Sequence, residues 1–318
     1  MVLVLLACES GDSARTERPP PTGETAAGDS ADSGGAADDT AADTAATVPS
    51  PPAPCDAWGE PEQTGLVADV ELDEISGVAP SAQTPGVLWV HEDRNNPTVL
   101  TAIDALGNTL GEVTLEGVAN VDWEAIALAP CAWGTCLYVA DIGDNATTRT
   151  DAALLVVPEP PMVEGLSLSV IPERIPVAYP DGAHNAEAFA VLPDGRGLVV
   201  TKRFDHTAAV FVLDLESGAF SPVAEIVTGE SEDDGADAVT SADVWPDGSR
   251  LLLRTYGGVQ EIDLREAGID GVAQAPRVAV PYAPVVHVEA IAYDAERRGY
   301  WQIPEGINAT VDFVPCLD

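Results

Sequence analysis

From residue 65 onward, apolar and polar positions alternate with a period of two in short runs, and amphipathic helical spacing is essentially missing. Such runs, rich in Val, Leu, Ile and Tyr, read as half-buried strands. An opening run recurs five times: Glu74-Ile75-Ser76-Gly77-Val78, Glu124-Ala125-Ile126-Ala127-Leu128, Glu187-Ala188-Phe189-Ala190-Val191, Thr240-Ser241-Ala242-Asp243-Val244 and Glu289-Ala290-Ile291-Ala292-Tyr293. The steps between them are 50, 63, 53 and 49 residues. Each is followed by a turn and a second run (V-L-W-V-H-E-D, C-L-Y-V-A-D-I-G, G-L-V-V-T-K, R-L-L-L-R-T-Y, G-Y-W-Q-I-P-E), and a third run follows in every repeat. The third and fourth repeats share a P-D-G turn at matching offsets.

Four short strands every 50 residues or so predict an all-β chain folded as a β-propeller with four-stranded blades. Five blades is the count. A six-bladed ring stays open if the 63-residue step hides an extra element, although loops around Pro158–Pro161 account for its length. A β-sandwich is the plainer alternative. The fifth repeat ends after three strands near Val314, so its outer strand is expected from the N-terminal side, at Leu66-Val67-Ala68-Asp69-Val70.

The remainder of the chain has a different character. Residues 9–54 hold nine acids, two Arg and Val48 as the one larger aliphatic side chain, and they end in a Pro-rich stretch. Such a segment buries too little apolar surface to offset the entropy of ordering, and it reads as an acidic tether. Ahead of it, Leu5-Leu6-Ala7-Cys8 resembles the lipobox of bacterial lipoproteins, in which the Cys carries the lipid. That resemblance implies a signal over 1–8, a folded domain over 55–318, and a lipid-anchored protein of the bacterial cell envelope. The plainer alternative is a short hydrophobic stub. Four further cysteines remain: Cys55, Cys131, Cys136 and Cys316. Cys131 and Cys136 bracket a hairpin, which leaves Cys55 and Cys316 to tie the domain ends. Zinc is the rival reading, but C-x4-C with a distant pair has poor ligand spacing.

Net charge narrows the partners. With 53 Asp+Glu against 14 Lys+Arg, the chain carries −39. A protein that grips a phosphate backbone needs a basic face, so nucleic acid is excluded. What remains is a membrane contact through the lipid alone, and an unidentified protein or small-molecule ligand.

The first strand of a propeller blade lines the central channel. The repeat therefore places Glu74, Glu124, Glu187 and Glu289 at one level, with Thr240 in the fifth place. Converging carboxylates repel unless they are protonated or joined by a cation. Ca2+, which takes six to eight oxygens, suits such a site. Asp122 and Asn185, two residues ahead of Glu124 and Glu187, offer further oxygens. The alternative is a set of solvated acids at a channel mouth. The ends of the second strands supply a rim: His91-Glu92-Asp93-Arg94, Asp141-Ile142-Gly143-Asp144-Asn145, Lys202-Arg203, Arg254-Thr255-Tyr256 and Glu305. Asp141, Asp144 and Asn145 hold a second cation or form a plain turn. Lys202 is the single lysine of the chain, and it meets an anionic ligand or pairs with a nearby acid.

With E-I-S-G-V at 74–78, D-W-E-A-I-A at 122–127 and V-E-A-I-A-Y-D at 288–294, the chain resembles the SdiA-regulated family of bacterial proteins. More distantly, it is similar to calcium-dependent phytase-like and esterase-like propellers. The resemblance, over about 65–318, implies a five-bladed propeller with bound calcium and no established activity. No G-x-S-x-G, P-loop, G-x-G-x-x-G or H-E-x-x-H is present. Two readings stay open. One is a tethered binding or scaffold propeller whose calcium is structural. The other is a calcium-dependent hydrolase of a phosphoester, ester or lactone, with Asp141, Asp144, His184 or His287 as base.

Overall fold

Residues 55–317 are described by the computed structural model, and the lipobox at Cys8 and the tether over 9–54 lie outside them. Five sheets, antiparallel except for one added strand, are arranged as the blades of a propeller. The innermost strands are Ile75–Pro80, Trp123–Cys131, Ala186–Val191, Val239–Val244 and Val288–Tyr293. Each packs against the next and the last returns to the first, so the ring closes.

The alternation seen in the sequence has a definite destination. Each blade sends one face of its strands into a wedge shared with the next blade, and the five apolar clusters are these five wedges. Trp89 and Trp123 fill the wedge between blades 1 and 2, while Trp245 and Tyr300 fill that between blades 4 and 5. All four are almost wholly buried, and a buried side chain of such size contributes roughly 1.5–3 kcal/mol. Both disulfides form: Cys131–Cys136 closes the first hairpin of blade 2, and Cys55–Cys316 joins the ends of the domain. Among the described residues no helix is long and apolar enough to cross a membrane.

Two expectations are corrected. The strand that completes blade 5 is Glu62–Leu66, paired with Thr310–Pro315, and not 66–70. Val67 leaves the sheet edge to plug the wedge between blades 5 and 1, its N–H donating to the Ala309 carbonyl at 2.8 Å. Its apolar character serves that plug and not a strand. The 63-residue step does hide an element. Strand Leu166–Val170 leaves blade 2 and adds in parallel to Thr109–Leu115, the outer strand of blade 1. Blade 1 thereby gains a fifth strand, and no sixth blade forms.

Candidate functional site

Every innermost strand begins with the same irregularity. Its pairing with the second strand slips by one residue between Ile75 and Gly77, Trp123 and Ala125, Ala186 and Ala188, Val239 and Ser241, and Val288 and Ala290. Such a bulge re-aims the side chain it skips. The skipped residues are Ser76, Glu124, Glu187, Thr240 and Glu289, all buried. Structural register therefore puts Ser76, not Glu74, on the level of the three glutamates. Glu74 is exposed and accepts a hydrogen bond from Asn96 Nδ2 at 2.8 Å. The two hydroxyl positions join blades, because Ser76 Oγ donates to the Glu124 carbonyl (3.2 Å) and Thr240 Oγ1 to the Val288 carbonyl (2.9 Å).

Glu124, Glu187 and Glu289 converge, each offering a carboxylate oxygen within 4.8 Å of the others. Asp93, Asp122 and Glu124 make a second trio on the same criterion, so Glu124 belongs to both. A second tier of side chains comes from the ends of the second strands. The backbone N–H groups of Asp93, Gly143, Lys202, Tyr256 and Glu305 donate to the carbonyls of Glu74, Asp122, Asn185, Ala238 and His287 respectively. Each acceptor lies two residues ahead of a bulge residue, which makes these five donors equivalent across the blades. A Cβ at Gly143 would lie 2.1 Å from Glu124 Oε1 and 2.6 Å from Asp122 Oδ2. Only glycine leaves room there for the two carboxylates.

Lys202 is not a surface cation. Its Nζ stands 2.5 Å from Glu187 Oε2 and 3.8 Å from Glu289 Oε1, with the side chain 8% exposed. It also donates to the Tyr256 hydroxyl (2.8 Å), which in turn donates to Glu289 Oε1 (2.5 Å). The repulsion anticipated among the glutamates is thus partly met by the chain's own ammonium. Burial works against that ammonium, yet Glu187 and Glu289 outweigh it and hold its pKa above the ordinary lysine value. The acids still feel one another. Burial first, then Glu187, Asp93 and Asp122, raises the Glu124 carboxyl well above its usual range. Burial pushes Glu187 up to about 8 against the pull of Lys202, with Glu289 adding to the rise. Burial and then Glu289 push Glu305 up to about 8, and burial pushes Asp93 up to about 6. Among the described residues no cation lies within ion-pair distance of Glu124, on which Arg94 acts only from further off; its side-chain hydrogen bond is the long one from the Ser76 hydroxyl at 3.5 Å. Asp122 Oδ1 is buried and accepts no hydrogen bond, with the half-exposed Arg94 guanidinium 3.6 Å away.

Other expected residues sit elsewhere. Asp141 is paired with Arg149 Nη2 at 2.8 Å and accepts from the Asp122 N–H; Asp144 accepts from the Arg149 N–H. The Asn185 amide accepts from the Asp144 N–H and donates to Asn145 Oδ1, which stitches blade 3 to this loop. The D-I-G-D-N segment is therefore a loop organised by Arg149 and Asn185, and its carboxylates join neither trio. His184 is held by Asp181 (2.9 Å) and packs on Tyr179 and Phe211. His287 offers its carbonyl to Glu305, and its ring meets the edge of Tyr256. His91, expected on the rim, is wholly buried against Trp123, and burial lowers its pKa to about 4. Arg254 is wholly buried as well, between blades 4 and 5.

A separate cavity of about 760 Å³ lies at the other end of the channel, where the innermost strands finish. Val78, Ile126, Val191, Val244 and Ile291 line it, and the carboxylate trios do not.

No protein-family model and no curated protein matches the sequence. Among solved structures, the chain is similar to the PQQ-bound form of an aldose sugar dehydrogenase from Streptomyces coelicolor. The two are 15% identical, with 84% of this chain and 99% of that one covered and a TM-score of 0.48. It is also similar to U3-55K at 10% identity, covering 80% of this chain and 98% of that one, with a TM-score of 0.45. Likeness at these identities concerns the course of the chain alone, and PQQ belongs to that enzyme.

Proposed function

We propose that this protein is a calcium-binding propeller of the bacterial cell envelope, tethered through Cys8, that acts as a binding or scaffold module. The ion is held at the channel mouth by Glu124 with Glu187 and Glu289, and Asp122 and Asp93 extend the set on the other side. One observation carries the reading: Glu124 is a 2% exposed carboxylate shared by two acidic trios, with no cation within ion-pair distance among the described residues. A hard divalent cation with oxygen ligands resolves that arrangement. The buried Asp122 Oδ1 without a hydrogen bond adds an oxygen available to the same ion.

The scaffold role is favoured over hydrolysis by the placement of space. The large cavity lies where the innermost strands finish, lined by their apolar ends together with Asp194, Asp243, Asp294 and Glu296 and by neither acidic trio, whereas a metal hydrolase needs its ion facing the substrate pocket. Export is supported by the two disulfides, which persist in oxidising compartments. Calorimetric titration of the wild-type domain and of Glu124→Gln with Ca2+ tests the proposal. Saturable uptake by the wild type and at least tenfold weaker binding by the variant are expected. Equal binding by the two proteins, or none by either, overturns it.

A further inference from the structure

Strand Arg250–Thr255 of blade 4 alternates its side chains between two wedges, and Leu252 marks the face that meets blade 5. Arg250 and Arg254 lie on that face, since residues two apart share one side of a strand. Their surroundings differ. Arg250 Nη1 finds Glu261 Oε2 at 3.3 Å and Asp263 Oδ2 at 4.0 Å. Arg254 is 0% exposed, and none of its three guanidinium nitrogens has a hydrogen-bond partner. The ring of Tyr282 lies against it, its centroid 4.9 Å from the guanidinium carbon, and Tyr300 is close enough to act on its charge.

The polar groups around it are already engaged. The Tyr300 hydroxyl donates to the Pro281 carbonyl, and the Tyr282 hydroxyl donates to the Gly257 carbonyl at 2.9 Å. Gln302 grips Ala283 twice: its Nε2 donates to the Ala283 carbonyl (3.0 Å) and its Oε1 accepts from the Ala283 N–H (3.3 Å). Residues 281–283 are thereby latched across the wedge, and Tyr300 and Gln302 are themselves 0% exposed. Burial lowers the Arg254 pKa to about 10, so the group keeps its charge at neutral pH. Folded proteins pair a buried charge or let it neutralise. Among the described residues, despite the large surplus of acids, none acts on Arg254.

We propose that Arg254 is the floor of a buried site for a small monovalent anion of chloride's size, which joins blade 4 to the closing blade 5. A guanidinium offers five N–H donors and a charge. A water molecule would meet the donors and leave the charge uncompensated. The latch over residues 281–283 restricts the occupant to a small ion, and the Tyr282 face covers one side of the cation.

The test compares the wild-type protein with Arg254→Met in sodium chloride and in sodium sulfate at matched ionic strength. The wild type should show a saturable rise in Tm of a few degrees specific to chloride. The methionine variant should fold with equal or higher stability in the absence of chloride, because it removes an unpaired buried charge, and should lose the chloride-specific rise. Crystals of the wild-type protein grown in bromide supply a measurement that needs no variant: anomalous scattering should place a bromide against the Arg254 guanidinium. Identical salt responses of the two proteins, or water without bromide at the guanidinium, overturn the site.

Discussion

Replacing Lys202 by Met separates the protein's own cation from the one it is proposed to bind. The ammonium lies 2.5 Å from Glu187 and 3.8 Å from Glu289, the same two carboxylates assigned to calcium. Above about pH 8, where Glu187 is ionised, unit charges about 4 Å apart attract by roughly 4 kcal/mol at an effective dielectric of about 20, before desolvation takes back most of it. An incoming calcium ion must weaken that contact. If about a third of the attraction survives as net energy, its removal is worth roughly 1.4 kcal/mol, a factor of ten in Kd. Lys202→Met should therefore bind Ca2+ at least tenfold more tightly by calorimetry. In chelator the variant should be less stable than the wild type by about 1–3 kcal/mol, since breaking a buried pair costs about 3–5 kcal/mol and protonation of Glu187 relieves part of it. Urea denaturation with and without calcium reads both quantities. Unchanged or weaker calcium binding by the variant would refute the placement of the ion between Glu187 and Glu289.

The acids raised in the folded state set a pH signature. Glu187 and Glu305 keep their protons up to about 8 in the fold and release them near 4.5 when unfolded, so the folded state binds more protons between those values. Stability in chelator should fall as pH rises from about 6.5 to 8, above the range in which the lowered His91 works the other way, and the stabilisation by calcium should grow over the same range; a chelated protein that gains stability toward pH 8 would contradict this. Gly143→Ala should lower calcium affinity with the β circular dichroism intact, because the new methyl occupies the place of Glu124 Oε1. Loss of Cys55–Cys316, which spans 261 residues, should lower Tm more than loss of Cys131–Cys136, which spans 5. The chain-entropy model gives ceilings of roughly 5.6 and 2 kcal/mol, and paired Cys→Ser variants in a thermal melt compare them. Cys8→Ser should move the protein from the membrane fraction to the soluble one, and retention on membranes would refute the anchor.

The ring was legible in the sequence because each inner strand needs apolar residues for two wedges, and that requirement repeats five times along the chain. The level of the acids was less legible. Matching Glu74 to Glu124 follows the letter, whereas the bulges after Ile75 and Trp123 set the register and bring Ser76 to that level. A bulge leaves no reliable local mark. Glu124, Glu187 and Glu289 were found together because their repeats align without a shift. Lys202 and Glu305 were visible as the residues that end second strands, but nothing in T-K-R or P-E-G says that the side chain turns inward. Arg254 illustrates the opposite difficulty: an arginine at a strand end reads as a rim residue, and only the latch by Tyr300 and Gln302 makes it interior. The extra strand over Leu166–Val170 escaped because its partner is the outer edge of another blade, paired in parallel.

The bond between Cys55 and Cys316 also decides how the domain bears load. A pull transmitted by the residues that precede Cys55 enters the fold at the seam of the ring. Without the bond, that force would peel Glu62–Leu66 away from Thr310–Pro315 one hydrogen bond at a time, and the ring would open. With it, the tension crosses covalently to Cys316 and is shared by the two strands of the ladder, together with the Gly59 N–H on Pro315 and the Leu317 N–H on Ala57. The seam then yields only by shearing many bonds at once. The weakest joint of the ring is thereby also its mechanical clamp.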